Sequence, residues 1–260
     1  MYTKQDLIKD LENMGLKSTD SIMIHSSYKA IGEVEGRAET VVDALMTYFK
    51  DGLLMTPTHT WAQFHQEYNV YDPVTEPACV GIIPNLFRKR PGVVRSLHPT
   101  HSIAAYGPKA ESYIAGDENC TTPCAPQGCW GRLKDVNAYI LLLGVTHIRN
   151  TYMHSVEEMF DVPNRLTSDT SRFEICMPDG SRKIVDVHKH QKIQGIGISM
   201  RYDKLAQAFY ENGAARKVTF ADADCILCEA EKIYEVMGKV FAHDPECIIN
   251  LEEIPREWWL

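Results

Sequence analysis

His154 and Glu157 stand three residues apart in Asn150-Thr151-Tyr152-Met153-His154-Ser155-Val156-Glu157. On a helix that spacing puts both side chains on one face. An imidazole that can take a proton, with a carboxylate beside it to stabilise the charged form, is the equipment of a general base. A helix N-terminus disfavours imidazolium while Glu157 favours it, so His154 is expected to be a near-neutral base. The same pair also reads as an ordinary surface ion pair. Two other patches carry chemical options. His25-Ser26-Ser27 offers hydroxyls and amides at the end of a strand; they suit a thioester carbonyl or a polar cofactor arm, or serve only to satisfy turn amides. Arg95-Ser96-Leu97-His98-Pro99-Thr100-His101-Ser102 offers an arginine and two histidines near Ser102, able to grip phosphate or to build a buried turn.

The surrounding charge bears on both patches. The 260-residue chain carries a formal net charge of −8, which argues against a general nucleic-acid binder. Residues 77–110 contain no Asp or Glu, yet hold Arg88, Lys89, Arg90, Arg95 and Lys109. A basic strip inside an acidic protein fits a phosphorylated ligand, or is chance clustering on a solvated surface. Residues 222–260 are acid-rich, read as a solvated helix face that could also attract a cation. The longest apolar run, about eight residues at 138–145, falls far short of the ~20 that a membrane helix needs. The N-terminus has no apolar leader, and eight cysteines then read as reduced thiols, so a cytoplasmic setting is expected. Cys120, Cys124 and Cys129, the Cys225-x-x-Cys228 pair and His188-x-His190 are spaced poorly for structural zinc, and no metal is expected. A Cys–His hydrolase using Cys124 or Cys129 lacks a supporting nucleophile-elbow motif. Neither GxGxxG nor a P-loop occurs.

The elements that must hold these residues alternate in type. A helix is expected over 4–13 with Thr3 as N-cap, then a strand at 21–25, a helix at 39–49 and a strand at 52–55. The two strands should be parallel, joined by a right-handed crossover. Short helices are expected at 81–90 and 108–115, and a strand at 138–145 buried on both faces. Asn150 or Thr151 should cap a helix to about Phe160. Residues 173–177 and 183–187 flank Pro178-Asp179-Gly180-Ser181, a hairpin signature. Helices at 202–211 and 222–241 complete an α/β fold.

Five of these patches occur together and in order: His25-Ser26-Ser27 with Ile31-Gly32; Met55-Thr56-Pro57-Thr58; Arg95-Ser96-x-His98-Pro99-x-x-Ser102-x-Ala104-x-x-Gly107; Leu141-Leu142-Leu143-Gly144; and Asn150-Thr151-x-x-His154-x-x-Glu157. The set resembles the aminoglycoside 3-N-acetyltransferase family over at least residues 3–165. The resemblance implies a single three-layer α/β/α domain over 1–260 with a mixed central sheet. Coenzyme-binding elements would lie mainly in 20–107 and the acceptor side in 150–260. It implies an acyltransferase that uses acetyl-CoA as cosubstrate, with His154 as the catalytic base and Glu157 as its acid. His25, Ser26, Ser27, Arg95, Ser96, His98 and Ser102 would lie at the coenzyme. The expected partner is a small-molecule amine, not nucleic acid or membrane, for a monomer or homodimer.

Two departures from the family pattern bear on the acceptor. The acid-rich segment that follows the hairpin in resistance enzymes is here Asp186-Val187-His188-Lys189-His190-Gln191-Lys192, expected to repel a polycation. Ahead of the Pro123 turn stands Glu118-Asn119-Cys120-Thr121-Thr122 in place of the family's histidine. Three readings follow: transfer to an aminoglycoside, transfer to another small amine, or a non-catalytic coenzyme A- or zinc-binding module.

Overall fold

The structure, a computed structural model, describes residues 1–64, 68–250 and 252–260. The strands are β1 (Ser21–Ser26), β2 (Leu53–Pro57), β3 (Tyr68–Tyr71), β4 (Val94–Arg95), β5 (Ile103–Tyr106) and β6 (Tyr139–Leu143). They continue with β7 (Leu166–Cys176), β8 (Arg182–His190), β9 (Lys192–Ile193), β10 (Ile196–Gly197), β11 (Ala215–Phe220) and β12 (Ala223–Glu229). The helices are α1 (Lys4–Asn13), α2 (Arg37–Tyr48), α3 (Ile82–Phe87), α4 (Ala110–Ile114), α5 (Tyr152–Met159), α6 (Ala206–Glu211) and α7 (Ala230–His243). None of them is long and apolar enough to cross a membrane.

Seven strands form the central sheet in the order β11-β12-β6-β1-β2-β5-β4, and β3, β7 and β8 form a smaller second sheet. β1 runs parallel to both β2 and β6, while β5 and β12 pair antiparallel with their neighbours, so the sheet is mixed. Alternation along each strand feeds two separate cores. Ile22, Ile24, Leu141 and Leu143 pack with Leu7, Val41, Leu45 and Phe87 of α1–α3. Met23, Ile140 and Leu142 pack with Tyr113, Val156, Phe209 and Met237 of α4–α7. The apolar run of β6 is continuous because helices cover both faces. The result is the expected three-layer α/β/α architecture.

Most expected elements form close to their expected bounds. α1 begins with a capping box in which Thr3 and Asp6 satisfy each other's amides. The largest difference lies near the C-terminus. Residues 223–229 form β12, antiparallel to β6, and the helix starts only at Ala230. Ala223, Cys225 and Leu227 enter one core while Cys228 enters the other, an alternation of period two that a helical reading cannot satisfy. Cys225 and Cys228 therefore face opposite sides of the sheet and are no chelating pair. Strands β3, β4, β5 and β11 had no distinct signal, being short or, in β11, largely polar on one face. The expected helix at 202–211 splits into a 3₁₀ segment, Ile198–Leu205, followed by α6.

The topology gathers the chemistry at one sheet edge. Parallel β1, β2 and β6 end at His25-Ser26, Pro57 and Leu143, where ligands of α/β sheets bind. β5 runs the other way, so its start meets the same edge, and the ladder extends beyond it. Thr58 N donates to Ser102 O at 2.8 Å and Thr60 N to Thr100 O at 3.0 Å.

Gly144 closes β6 with φ +67°, and a Cβ there would sit 2.3 Å from Ala30 Cβ and 3.6 Å from Ser27 Cβ. A side chain would meet both a disfavoured backbone region and the turn that carries Ser26-Ser27. Gly144→Ala is expected to lower unfolding stability by about 2–4 kcal/mol, read by urea denaturation; a loss under about 0.5 kcal/mol would mean the turn yields freely.

Candidate active site

α5 carries three of the site's side chains. Thr151 occupies its N-cap position but makes no cap bond. Its hydroxyl instead meets His59 Nε2 at 3.1 Å, tying α5 to the chain beyond β2. His154 is 9% exposed, Glu157 fully buried, and Glu158 nearly so.

The His154–Glu157 pair is bridged. Tyr202 Oη donates to Glu157 Oε2 at 2.5 Å and lies 2.6 Å from His154 Nδ1, while the direct His154 Nδ1–Glu157 Oε2 separation is 3.3 Å. Tyrosine has one proton, and the carboxylate can only accept, so that proton belongs to the Glu157 bond. Nδ1 must then carry its own proton and donate it to Tyr202 Oη. That fixes the tautomer: in the neutral ring, Nε2 holds the free lone pair. Arg165, itself buried, donates Nε to Glu157 Oε1 at 2.5 Å. Burial alone would raise the Glu157 carboxyl, but the bond and charge of His154, the Arg165 guanidinium and the Tyr202 hydroxyl outweigh it, holding Glu157 below the usual carboxylate range. Burial, then the Glu157 charge, pushes the Tyr202 phenol well up, so it remains protonated.

From His154 a column of rings runs back to β1. His154 stacks on His190 at 3.8 Å between centroids, with His101 at 5.0 Å from His190 and His59 at 4.6 Å from His101. Trp130 lies 5.4 Å from His59 and 5.7 Å from His25. Burial holds the imidazoles behind His154 neutral. It lowers His25 to about 3 and His190 to about 4, and drives His59 and His101 well below the ordinary value. His25 Nε2, His59 Nδ1 and His190 Nε2 are buried without a hydrogen-bond partner among the described residues. Beside Glu158 opens a cavity of about 480 Å³, lined among others by Thr122, Gln127, Asp161 and Asn164.

The structure thus brings together His154, Glu157 and the edge that carries His25. Ser26 and Ser27 are half-buried at that edge, their hydroxyls uncommitted among the described residues. The second patch is bonded largely within the fold. Arg95 donates Nε to Thr58 Oγ1 and Ser102 Oγ, Nη1 to Pro73 O and Glu76 O, and Nη2 to Thr58 O. Ser96 Oγ accepts from Ile103 N at 3.0 Å, and Ser102 Oγ donates to Thr58 O at 2.9 Å. His98 Nδ1 accepts from the amides of Thr100 and His101, and Nε2 donates to Thr122 O. Arg95, Ser96, His98 and Ser102 therefore brace the loop that aims His101, rather than presenting free groups to a phosphate. In the 186–192 segment His190 is neutral, His188 Nδ1 donates to Thr167 O at 2.7 Å, and Asp186 pairs with Arg172 at 2.9 Å. Lys189 and Lys192 stand exposed, so these two lysines carry the positive charge expected of the segment.

Tyr202, Arg165 and Glu158 were not singled out by the sequence. Tyr202 lies 45 positions from Glu157 with no local motif; the tandem Glu157-Glu158 was the one available signal.

An imidazole with a fixed tautomer, stacked on neutral imidazoles at the carboxyl ends of an α/β sheet, has a free lone pair that can accept a proton. The class so defined is an α/β group-transfer enzyme. Comparison with known proteins narrows it: residues 23–242 match the family model "Aminoglycoside 3-N-acetyltransferase". The chain belongs to that family, whose named members are acyltransferases. It is 33% identical over 198 residues to aminoglycoside N(3)-acetyltransferase VII of Streptomyces paromomycinus, covering 69% of this chain and 68% of that one. A mutant of aminoglycoside acetyltransferase AAC(3)-IVa in complex with a gentamicin superposes with a TM-score of 0.80 at 26% identity, over 94% of this chain and 90% of that one. AAC-IIIb, solved as a binary complex with CoASH, has the same fold (TM-score 0.76, 21% identity, 90% and 94% covered).

The buried histidines predict a pH dependence of stability. His25, His147 and His190 are held at about 3, 4 and 4, below the unfolded value near 6.5. Between those limits the unfolded chain binds more protons, so stability is complete above about pH 7 and falls as pH drops from 6.5 toward 4. The slope is up to about 1.4 kcal/mol per pH unit for each histidine. Thermal melts across pH 4–8 test this; a flat profile would mean that the column admits protons without unfolding.

Proposed function

We propose that the chain is an acetyl-CoA-dependent N-acetyltransferase that moves the acetyl group directly to a primary amine, with His154 as general base. The observation that carries this reading is the His154–Tyr202–Glu157 arrangement, which leaves Nε2 as the only basic position the ring can offer. The cosubstrate supplies an activated acetyl thioester. An alkyl amine is mostly protonated at neutral pH, with a pKa near 10, and so needs a base. The ammonium first releases one proton to solvent; His154 Nε2 takes the second amine proton as the nitrogen lone pair forms the C–N bond and the C–S bond breaks. The Nδ1–H stays on Tyr202 Oη while Glu157 stabilises the imidazolium, and the proton then passes to the departing thiolate. The Ser26 and Ser27 hydroxyls sit at the strand end suited to the thioester oxygen, while the Ser27 amide is spent on Leu143 O at 2.8 Å.

Direct transfer is favoured over an acyl-cysteine route because the thiols beside the site are not nucleophiles. Burial pushes Cys124 well up and Cys120 to about 12; a thiol kept protonated reacts poorly.

The acceptor read best is an aminoglycoside amine. Glu158 and Asp161 line the cavity at the end of α5, and His190, neutral, does not repel a polycation. A smaller amine is the second reading, favoured by Asp186, the one acid of the 186–192 segment, being spent on Arg172.

His154→Ala is expected to lower kcat at least about 10²-fold with the KM for acetyl-CoA nearly unchanged. Unchanged turnover would remove His154 from the mechanism. Tyr202→Phe leaves the Nδ1 proton only the longer reach to Glu157, and should lower kcat about 10-fold while the fold is kept. Thiol release measured across 2-deoxystreptamine antibiotics and a panel of simple amines separates the two acceptors.

A further inference from the structure

We infer that Cys124, Glu158 and His190 form a binding site for a borderline-soft divalent cation of the zinc type, set directly beside His154. Cys124 Sγ, a Glu158 carboxylate oxygen and a His190 ring nitrogen all lie within 4.8 Å of one another. Thiolate, imidazole and carboxylate are the ligands such an ion selects, and three of them with a fourth position open is a common arrangement for a reactive rather than a structural zinc. His190 Nε2 is buried, has no hydrogen-bond partner among the described residues, and lies 3.8 Å from Glu158 Oε1. A contraction of about half an ångström there would bring both atoms to the edge length of a zinc tetrahedron.

The donors are also oriented from behind. Glu158 receives Thr122 Oγ1 at 2.5 Å and Cys124 N at 3.1 Å, so its carboxylate is aimed before any ion arrives. Glu158 and Thr122 also line the 480 Å³ cavity, so one of the three ligands borders open space. As the S–metal bond forms, Cys124 loses its thiol proton to solvent. The ligands lie tens of residues apart and follow no zinc motif, which is why sequence pattern gave no sign of the site.

Occupancy has a consequence that rests on the proposed function. His190 stacks on His154 at 3.8 Å, so a dication on His190 lies where a cationic acceptor must approach. Zinc should therefore inhibit acetyl transfer.

The test uses the whole protein and two readouts. Co²⁺ titration of the unmodified chain should give one equivalent bound, with a near-ultraviolet thiolate-to-cobalt charge-transfer band that Zn²⁺ displaces. Cys124→Ser should abolish the band, and His190→Ala should weaken binding at least about 10-fold, while Cys120→Ser should leave both unchanged. A spectrum without the thiolate band, or binding unaffected by Cys124→Ser and His190→Ala, overturns the assignment, and the unmodified protein alone suffices for the first. Zinc inhibition relieved by Cys124→Ser supports the coupling to His154; stoichiometric binding without inhibition of an active enzyme overturns that coupling. An inactive enzyme that still binds one cobalt ion would count against the proposed function and not against the site.

Discussion

A fully buried carboxylate, Glu157, is the constraint around which the rest of the site is arranged. Removing such a charge from water is costly unless every lone pair is answered. Three groups from three places in the chain answer it: Arg165 after α5, Tyr202 on the 3₁₀ segment, and His154 one turn earlier. Because Arg165 also donates to Pro163 O and Pro245 O, the same charge fastens α5 to the segment beyond α7. A buried ion pair of this kind adds little net stability over an apolar replacement, but removing one partner leaves an unanswered charge costing about 3–5 kcal/mol. Its return lies in geometry. With the carboxylate fixed, the tyrosine proton is fixed, then the Nδ1 proton, and the His154 ring is left with a single orientation.

That arrangement works only in a dry setting, and the sheet provides one. Two parallel strands and one antiparallel strand, β1, β2 and β5, deliver His25, His59 and His101 to a common edge, where Trp130 packs between His25 and His59 and donates its indole N–H to His101 O at 2.8 Å. Neutral imidazoles are an uncommon lining, neither apolar nor charged. They donate and accept without setting up a field that would oppose either an anionic thioester ligand or a cationic amine. The burden falls on the fold, since each of these rings must be kept from protonating by the burial that the surrounding layers supply.

Legibility from sequence followed the range of the interactions. Features encoded within one turn or one strand were readable: the Thr3–Asp6 cap, the His154–Glu157 face, the double-sided apolar run of β6, and the hairpin around Pro178-Asp179-Gly180-Ser181. Features made by contact at a distance were not. Tyr202 bridges a pair 48 and 45 residues away, and His59 reaches Thr151 across 92 positions. The misread strand β12 fails for a related reason. Its mixture of acids and small apolar residues fits either period, and only the vacant edge of β6 selects the extended form.

The basic strip shows how a charge count can be sound while its meaning is not. Arg90 pairs with Glu39 and Asp43 on α2, Arg88 donates to Val74 O and Asn85 Oδ1, and Arg95 is spent on Thr58, Ser102, Pro73 and Glu76. Three of the five bases therefore staple loops to α2, α3 and β2, while Lys89 and Lys109 stand exposed. A stretch without acids must find its counter-charges outside itself, and in a compact fold it finds them as helix acids and carbonyl oxygens before it finds a ligand. The arginines of this strip thus hold loops in place around β2, and the turn that carries Ser26 and Ser27 is held by packing instead, with Gly144 lying tight against Ala30.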